Sequence, residues 1–501
     1  MPRIPLLAGS KIAVVNAGDD AIVLAPPPPR EPVADVAAAV RDSLRFPLAG
    51  EPLEALVSRG GRATVVVEPP AQPVPQTSVE PRPTAIAAAI HELERAGISP
   101  ERTTILVAGG LARRTGEREV EQFVPPDFAR RFRGSVVVHD AASHDLVPLA
   151  IEGRDGVRVH PTLLDTDLVL TVSAAETVLH GGPGLLIGAA DSATIRAADA
   201  DSLLETTASH GWQLGVALEH ALSRRVAVIG TSLVLTLPRL TGILHGYPYE
   251  AESVERLVRS PVRHLFGALP GAVQRRALRT IPASRGVSAA FSGPPSVAHA
   301  EALLRGTEER ARSLGEPLDA ICLGIPGTTP YLPRERPNPL LAAYLGLGLA
   351  LRLWREAFPV VEGGTAILVH PFERRFAHPT QQPYRNFFRA VRAGTARELD
   401  LMRDAEIAAG ADEKAIAAYR EGRAHHPLLP FADWSACAPA LGRLGAVLVA
   451  GCRDHDAARA LGLVPMHGAG AAVQMAQSRA GRPLRIGFLL APPYFPLRVR
   501  A

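Results

Sequence analysis

Thr104-Ile105-Leu106-Val107-Ala108-Gly109-Gly110-Leu111-Ala112-Arg113-Arg114-Thr115 is an apolar run that stops on two glycines and two arginines. A run of that length and β-branched content suits a strand buried on both faces, and the glycines suit a tight exit from a sheet. The pattern recurs on both sides, upstream at Thr64 to Val67 and downstream at Ser135 to His139, Leu168 to Ser173 and Val226 to Gly230. Between these runs, Thr84 to Ala96 has helix-forming composition and ends at Gly97, and Ser202 to Leu222 carries apolar residues at helical spacing. Strands alternating with helices predict an α/β fold with a mostly parallel sheet.

A second set repeats the theme: Ala320 to Gly324, Thr365 to His370, Ala446 to Ala450 and Arg485 to Leu490, with helices expected over 338–357 and 471–479. Pro270, Pro282, Gly286, Gly293, Pro294 and Pro295 interrupt the pattern between the sets. The expectation is two α/β domains, 1–280 and 281–501, with an interdomain cleft. Ala25 to Arg30 reads as a stiff proline linker. Glu68 to Pro83 follows a strand directly, so it belongs at a carboxyl edge, where open α/β sheets place ligand loops.

Composition narrows the chemistry. With 501 residues, 47% hydrophobic and 21% charged, the chain can bury a sizeable core. A net charge of +4 is small for this length, which argues against nucleic acid as partner. Cys322, Cys437 and Cys452 form no CxxC pair, and the N-terminus lacks the long apolar region of a signal peptide, so a reducing cytoplasm is expected. The most apolar stretch, 339–354, is short for a membrane span and contains Arg352, so it reads as a core helix and no membrane is expected. Only two lysines occur, Lys11 and Lys414, which excludes lysine chemistry anywhere between them. No GxSxG, HExxH, Walker or GxGxxG element is present.

Several strand-end segments carry reactive side chains. Gly109, Gly110, Arg113 and Arg114 combine open backbone with guanidinium groups and suit an anion, or are a turn with solvated arginines. His139-Asp140-Ala141-Ala142-Ser143-His144-Asp145 is a polar loop without a metal-ligand spacing. In Glu176-Thr177-Val178-Leu179-His180-Gly181-Gly182-Pro183-Gly184, His180 either caps a turn or serves as general base, and the glycines let a ligand approach the backbone. His370-Pro371-Phe372-Glu373-Arg374-Arg375-Phe376-Ala377-His378 places two histidines and a carboxylate on one proline-bracketed loop, for acid/base chemistry or as a structural turn. His180, His370 and His378 are thus the candidate catalytic residues, and Arg113, Gly181 and Gly182 the candidate cofactor-binding residues. No metal ligands are assigned.

The order of segments resembles the lactate racemase (LarA-like) domain family over most of the chain. Glu68-Pro69-Pro70-Ala71-Gln72-Pro73-Val74-Pro75 is similar to the family's acidic-Thr-Arg-Pro-x-Pro stretch, with Gln72 in place of the arginine. Gly110-Leu111-Ala112-Arg113, with Thr115, Glu117 and Glu119, resembles its Gly-x-His-Arg segment, with Ala112 at the catalytic histidine. His139-Asp140-Ala141 matches a His-Asp-Ala element. Family racemases then carry Glu-Pro-His, a glycine turn and a lysine bearing a nickel-pincer nucleotide. Here Glu176 through Gly188 contains no lysine. Leu341, Ala342 and Leu345 stand where racemases have Tyr-Gln and Lys. The resemblance implies a racemase or epimerase of a small 2-hydroxy acid, binding a carboxylate ligand, with altered or lost pincer use and an unassigned cofactor. The alternative is a non-catalytic binding protein that keeps the fold.

Overall fold

The computed structural model describes residues 3–18, 20–70, 77–115, 123–279, 283–327, 336–376 and 378–500. Two six-stranded sheets organise the chain. The first runs, edge to edge, Val287–Gly293, Ala227–Leu235, Leu168–Ala174, Ala63–Val67, Thr103–Val107, Ser135–Val138. All its pairings are parallel except that of Val287–Gly293, which lies antiparallel on Ala227–Leu235. The second runs Val464–Met466, Ala446–Ala450, Val360–Val369, Leu318–Gly324, Ile486–Leu489, Ile22–Leu24, parallel throughout.

Several of the runs read as doubly buried strands are so, every residue of Ala63–Val67, Leu168–Ala174 and Leu318–Gly324 being buried, but Ser135–Val138 lies at the sheet edge with Ser135 and Val136 exposed. On one face of the first sheet lie the helices Val36–Arg45 and Pro81–Ala96, with Val40, Leu44, Ile86, Ile90 and Leu93 in the core. Pro81 sits in the first helical turn and Gly97, at φ 110°, ends that helix in the left-handed conformation that glycine tolerates. The expected helix over 202–222 begins only at His210, capped by the Ser209 side chain on the Trp212 amide.

Two segments cross the expected boundary at 280. The hairpin Arg3–Ala8 with Lys11–Asn16, and the strand Ile22–Leu24, belong to the second sheet, where Ile4, Leu6 and Val15 pack with Ala320, Cys322 and Ile367. Conversely, Val287–Gly293 and the helix Pro295–Arg310 complete the first unit. The proline tract 25–30 is therefore the link from the second unit to the first. The expected helix at 338–357 is shorter and irregular: Asn338 caps Pro339–Ala343, a π-helical turn covers Tyr344–Leu349, and a 3₁₀ turn ends at Arg352. A buried, twice-interrupted helix of this kind is shaped by the surfaces against it rather than by propensity.

Both sheets change winding direction internally. In the first, the chain steps outward from Ala63–Val67 to Thr103–Val107 and Ser135–Val138, then returns to the other side with Leu168–Ala174. The crevice at the carboxyl ends of two strands that part in this way is the usual ligand position of an open α/β sheet.

Candidate functional site

Glu68 follows the Ala63–Val67 strand and Glu176 closely follows Leu168–Ala174, so both carboxylates stand at that crevice. Glu176 is buried, with its Oε1 at 3.0 Å from Arg82 Nη2 and 3.4 Å from Arg285 Nη1. Arg82 comes from the first turn of Pro81–Ala96, and Arg285 from the approach to Val287–Gly293. Arg310 lies beyond them, donating to the carbonyl of Ala175 at 3.0 Å. A buried carboxylate clamped by two arginines on neighbouring elements explains why so polar a group survives in the core.

Electrostatics separate the two carboxyls. Burial, with the Glu176 charge beside it, pushes the Glu68 carboxyl up to about 8, against the pull of Arg82 and of the Gly181 amide that it accepts from. Burial works to lower Arg82, but Glu176, Glu80 and Glu68 outweigh it and hold the guanidinium above its ordinary value. Burial lowers Arg285 and takes Arg310 down to about 10. Two Arg82 nitrogens, Nη1 and Nη2, make no hydrogen bond of good geometry among the described residues, although Nη2 is in ion-pair range of Glu176.

His180 is half-buried beside this group. Thr177 Oγ1 accepts from the amides of Leu179 at 3.2 Å and His180 at 3.1 Å, which uses its lone pairs. Its hydroxyl proton is then left for His180 Nδ1, 2.9 Å away. Burial and the nearby Arg352 lower the ring's pKa, with Glu176 opposing, so the imidazole is neutral and carries its proton on Nε2. That nitrogen has no partner among the described residues. His180 thus has an N–H donor at Nε2 rather than a bare lone pair.

The adjoining glycines are tight. Gly181 and Gly182 have φ of 95° and 51°, and a Cβ on either would lie 2.2 or 2.3 Å from the His299 ring or its Cβ. His299 is fully buried, bonded to Ser232 Oγ and the Thr177 carbonyl, and pushed down to about 4 by burial. The glycines therefore let the turn close over His299 and bring the Gly181 amide to Glu68.

The other expected residues sit elsewhere. Arg113 donates its amide to His425 Nδ1 at 2.8 Å and its Nη1 to the Gly422 carbonyl, at the seam between the units. Tyr419 and His426 join the same seam through the carbonyls of Gly110 and Leu111. His370 is buried, its Nδ1 accepting from the Phe372 amide at 3.1 Å, and burial takes it down to about 3. His378 is exposed and caps a 3₁₀ turn through Thr380. Glu373 pairs with Arg453 and Arg375. The partners of both histidines lie in or beside their own loop, not in the Glu68–Glu176–His180 group. His139 is buried on the Ala190 carbonyl at 2.7 Å and taken down to about 3, whereas His144 is exposed. Ala71 to Pro75, Glu117 and Glu119 lie outside the described residues.

Sequence reading did not single out Arg82, Arg285 or Arg310, and took Glu68 as the start of a ligand loop and of a family-like stretch, without a catalytic role. The available signal was position: an acid immediately after a strand at a winding change.

Residues 9–210 match the family model of the lactate racemase N-terminal domain. No curated protein matches the chain. Among solved structures, the lactate racemase apoprotein from Thermoanaerobacterium thermosaccharolyticum is similar with a TM-score of 0.63 at 14% identity, covering 100% of both chains. A protein from Thermotoga maritima, at 12% identity and covering 94% of this chain and 100% of its own, has a TM-score of 0.48. Residues 9–210 are thus similar to the lactate racemase N-terminal domain, and the chain carries the α/β fold of lactate racemase along its whole length.

Proposed function

We propose that the protein moves a proton at the carbon next to the carboxylate of a small 2-hydroxy acid or a related acid, as a racemase or epimerase. The observation that carries this reading is the pairing of a carboxyl raised to about 8, Glu68, with a neutral N–H donor, His180, around the same buried ion group. A carboxylate base of raised pKa beside a neutral imidazole suits abstraction of a proton α to a carboxyl group. Glu68 takes the proton from one face of the carbon and, once the planar intermediate has turned over, returns it to the other. His180 Nε2–H hydrogen-bonds the oxygen on which negative charge grows, and Arg82 supplies the positive field for the substrate carboxylate.

A lysine-tethered nickel-pincer nucleotide does not fit the residues present. The Glu176–Gly188 segment has no lysine, and Lys11 and Lys414 are exposed on the N-terminal hairpin and on the Glu413–Arg420 helix.

The test is solvent exchange. A panel of 2-hydroxy and sugar acids is incubated with the protein in deuterated water, and loss of the Cα–H signal is followed by NMR. Exchange that falls by about 10²-fold or more in Glu68→Gln supports the assignment. Exchange unaffected by that substitution sinks it.

A second reading, ligand binding without turnover, draws on the positions where the family's racemases are polar. Ala112 replaces the histidine, and Leu341, Ala342 and Leu345 are fully buried core. Melting shifts with the same panel, without exchange for any member, would favour it.

A further inference from the structure

We propose that the helices Ala251–Arg259, Pro261–Ala268 and Gly271–Arg279 form a docking face for an anionic lipid surface, lying on the bilayer without crossing it. Charge is concentrated here. Residues 251–282 hold six arginines against two glutamates, a formal surplus of four that equals the net charge of the entire chain. Apolar side chains stand out among them: Leu265 is 69% exposed, Val273 47% and Leu269 41%. Leu265 and Leu269 are one turn apart, and Gln274 Nε2 fixes the bend between the last two helices by donating to the carbonyls of Phe266 and Gly267. The first helix keeps Val258 buried and turns Arg256 and Arg259 outward.

The first two helices pack on the N-terminal hairpin, whose Arg3 and Lys11 are exposed and add to the same sign. Leucines projecting from a basic surface match a fluid interface of acyl chains beneath anionic headgroups. A second copy is a poorer occupant, because a symmetric contact sets the surplus of positive charge against itself. The sequence expectation of no membrane rested on the lack of a spanning segment, and no helix among the described residues is long and apolar enough to cross. Interfacial binding does not need one.

The full-length protein is sedimented with phosphatidylcholine vesicles, with and without about a third phosphatidylglycerol, in low salt and in about 0.5 M salt, where charges are screened within a few ångströms. Binding is expected only with phosphatidylglycerol present and only in low salt. Leu265→Ser and Arg276→Gln should each weaken it, roughly fivefold for the arginine. Leu399→Ser, at a residue 84% exposed on a different helix, should leave it unchanged. The salt and lipid dependence of the unmodified protein tests the idea without relying on any variant. Equal binding to neutral vesicles, no binding to anionic ones, or equal loss in Leu399→Ser overturns the proposal. So does a dimer that Leu265→Ser converts to monomer in a protein that ignores vesicles, which would give the face to a second copy.

Discussion

At the scale of single residues, Glu68 governs how the protein responds to pH. Its folded pKa, about 8, lies above the ordinary carboxylate value, so the folded state keeps a proton that the unfolded chain gives up. The resulting stability is present in full below the unfolded pKa and is lost as pH rises through about 8. Glu68→Gln removes the buried charge. It should leave stability to urea nearly unchanged at low pH and raise it by about 1–2 kcal/mol near pH 9, after allowance for the partial exposure of the site. Exchange activity should follow the opposite course, increasing as pH passes through about 8 and Glu68 becomes a base. Glu176 is different in kind, because it is the shared counter-charge of Arg82 and Arg285. Glu176→Gln strands both and should cost about 3–5 kcal/mol in denaturant titration. Gly181→Ala pushes a methyl into His299 at a positive φ, with an expected loss of about 2–4 kcal/mol. Retention of normal stability in that variant would contradict the closeness of the turn to His299.

At the scale of elements, the strands were the most legible part of the chain. Leu168–Ala174 and Ala446–Ala450 are short, wholly apolar or nearly so, and buried on both faces, so composition alone marks them. Ile22–Leu24, Val287–Gly293 and Val464–Met466 were not marked. They are edge strands, held by one neighbour, and their sequences carry little of the burial signal. The 339–354 segment is buried, as its apolar composition predicts, but the helix in it is broken. Its start is secured by Asn338, whose Oδ1 accepts from Leu340 at 3.0 Å and Leu341 at 3.2 Å in a fully buried setting. Asn338→Ala should therefore cost about 1–2 kcal/mol, read as a shift in the denaturation midpoint. Its end is secured by Arg352, which ties Asp199 and the carbonyls of Asp201 and Ala436 to one guanidinium.

At the scale of the whole molecule, the two units are laced together. The N-terminal hairpin and Ile22–Leu24 complete the second sheet, while Val287–Gly293 and Pro295–Arg310 complete the first. A fragment cut at 280 therefore loses an edge strand and the helix that carries His299. Residues 26–310 should melt cooperatively as a fragment, whereas 1–280 should give a broad transition and bind a hydrophobic dye. The reverse result would show that the exchange of segments is dispensable.

The sequence by itself determined the layering, the parallel sheets and the lack of any lysine between Lys11 and Lys414. Each of these rests on local composition, which survives in a linear chain. Tertiary structure alone decided which charged residues meet. Glu68, Arg82, Glu176, Arg285 and Arg310 span more than two hundred positions, and nothing in the neighbours of an arginine reveals that it will be buried against a carboxylate. The same holds for the histidines: His180, His370 and His378 look alike in sequence. One keeps an open N–H at the winding change of a sheet, one is buried under its own loop and one caps an exposed turn, because burial and hydrogen-bond partners are properties of the folded neighbourhood.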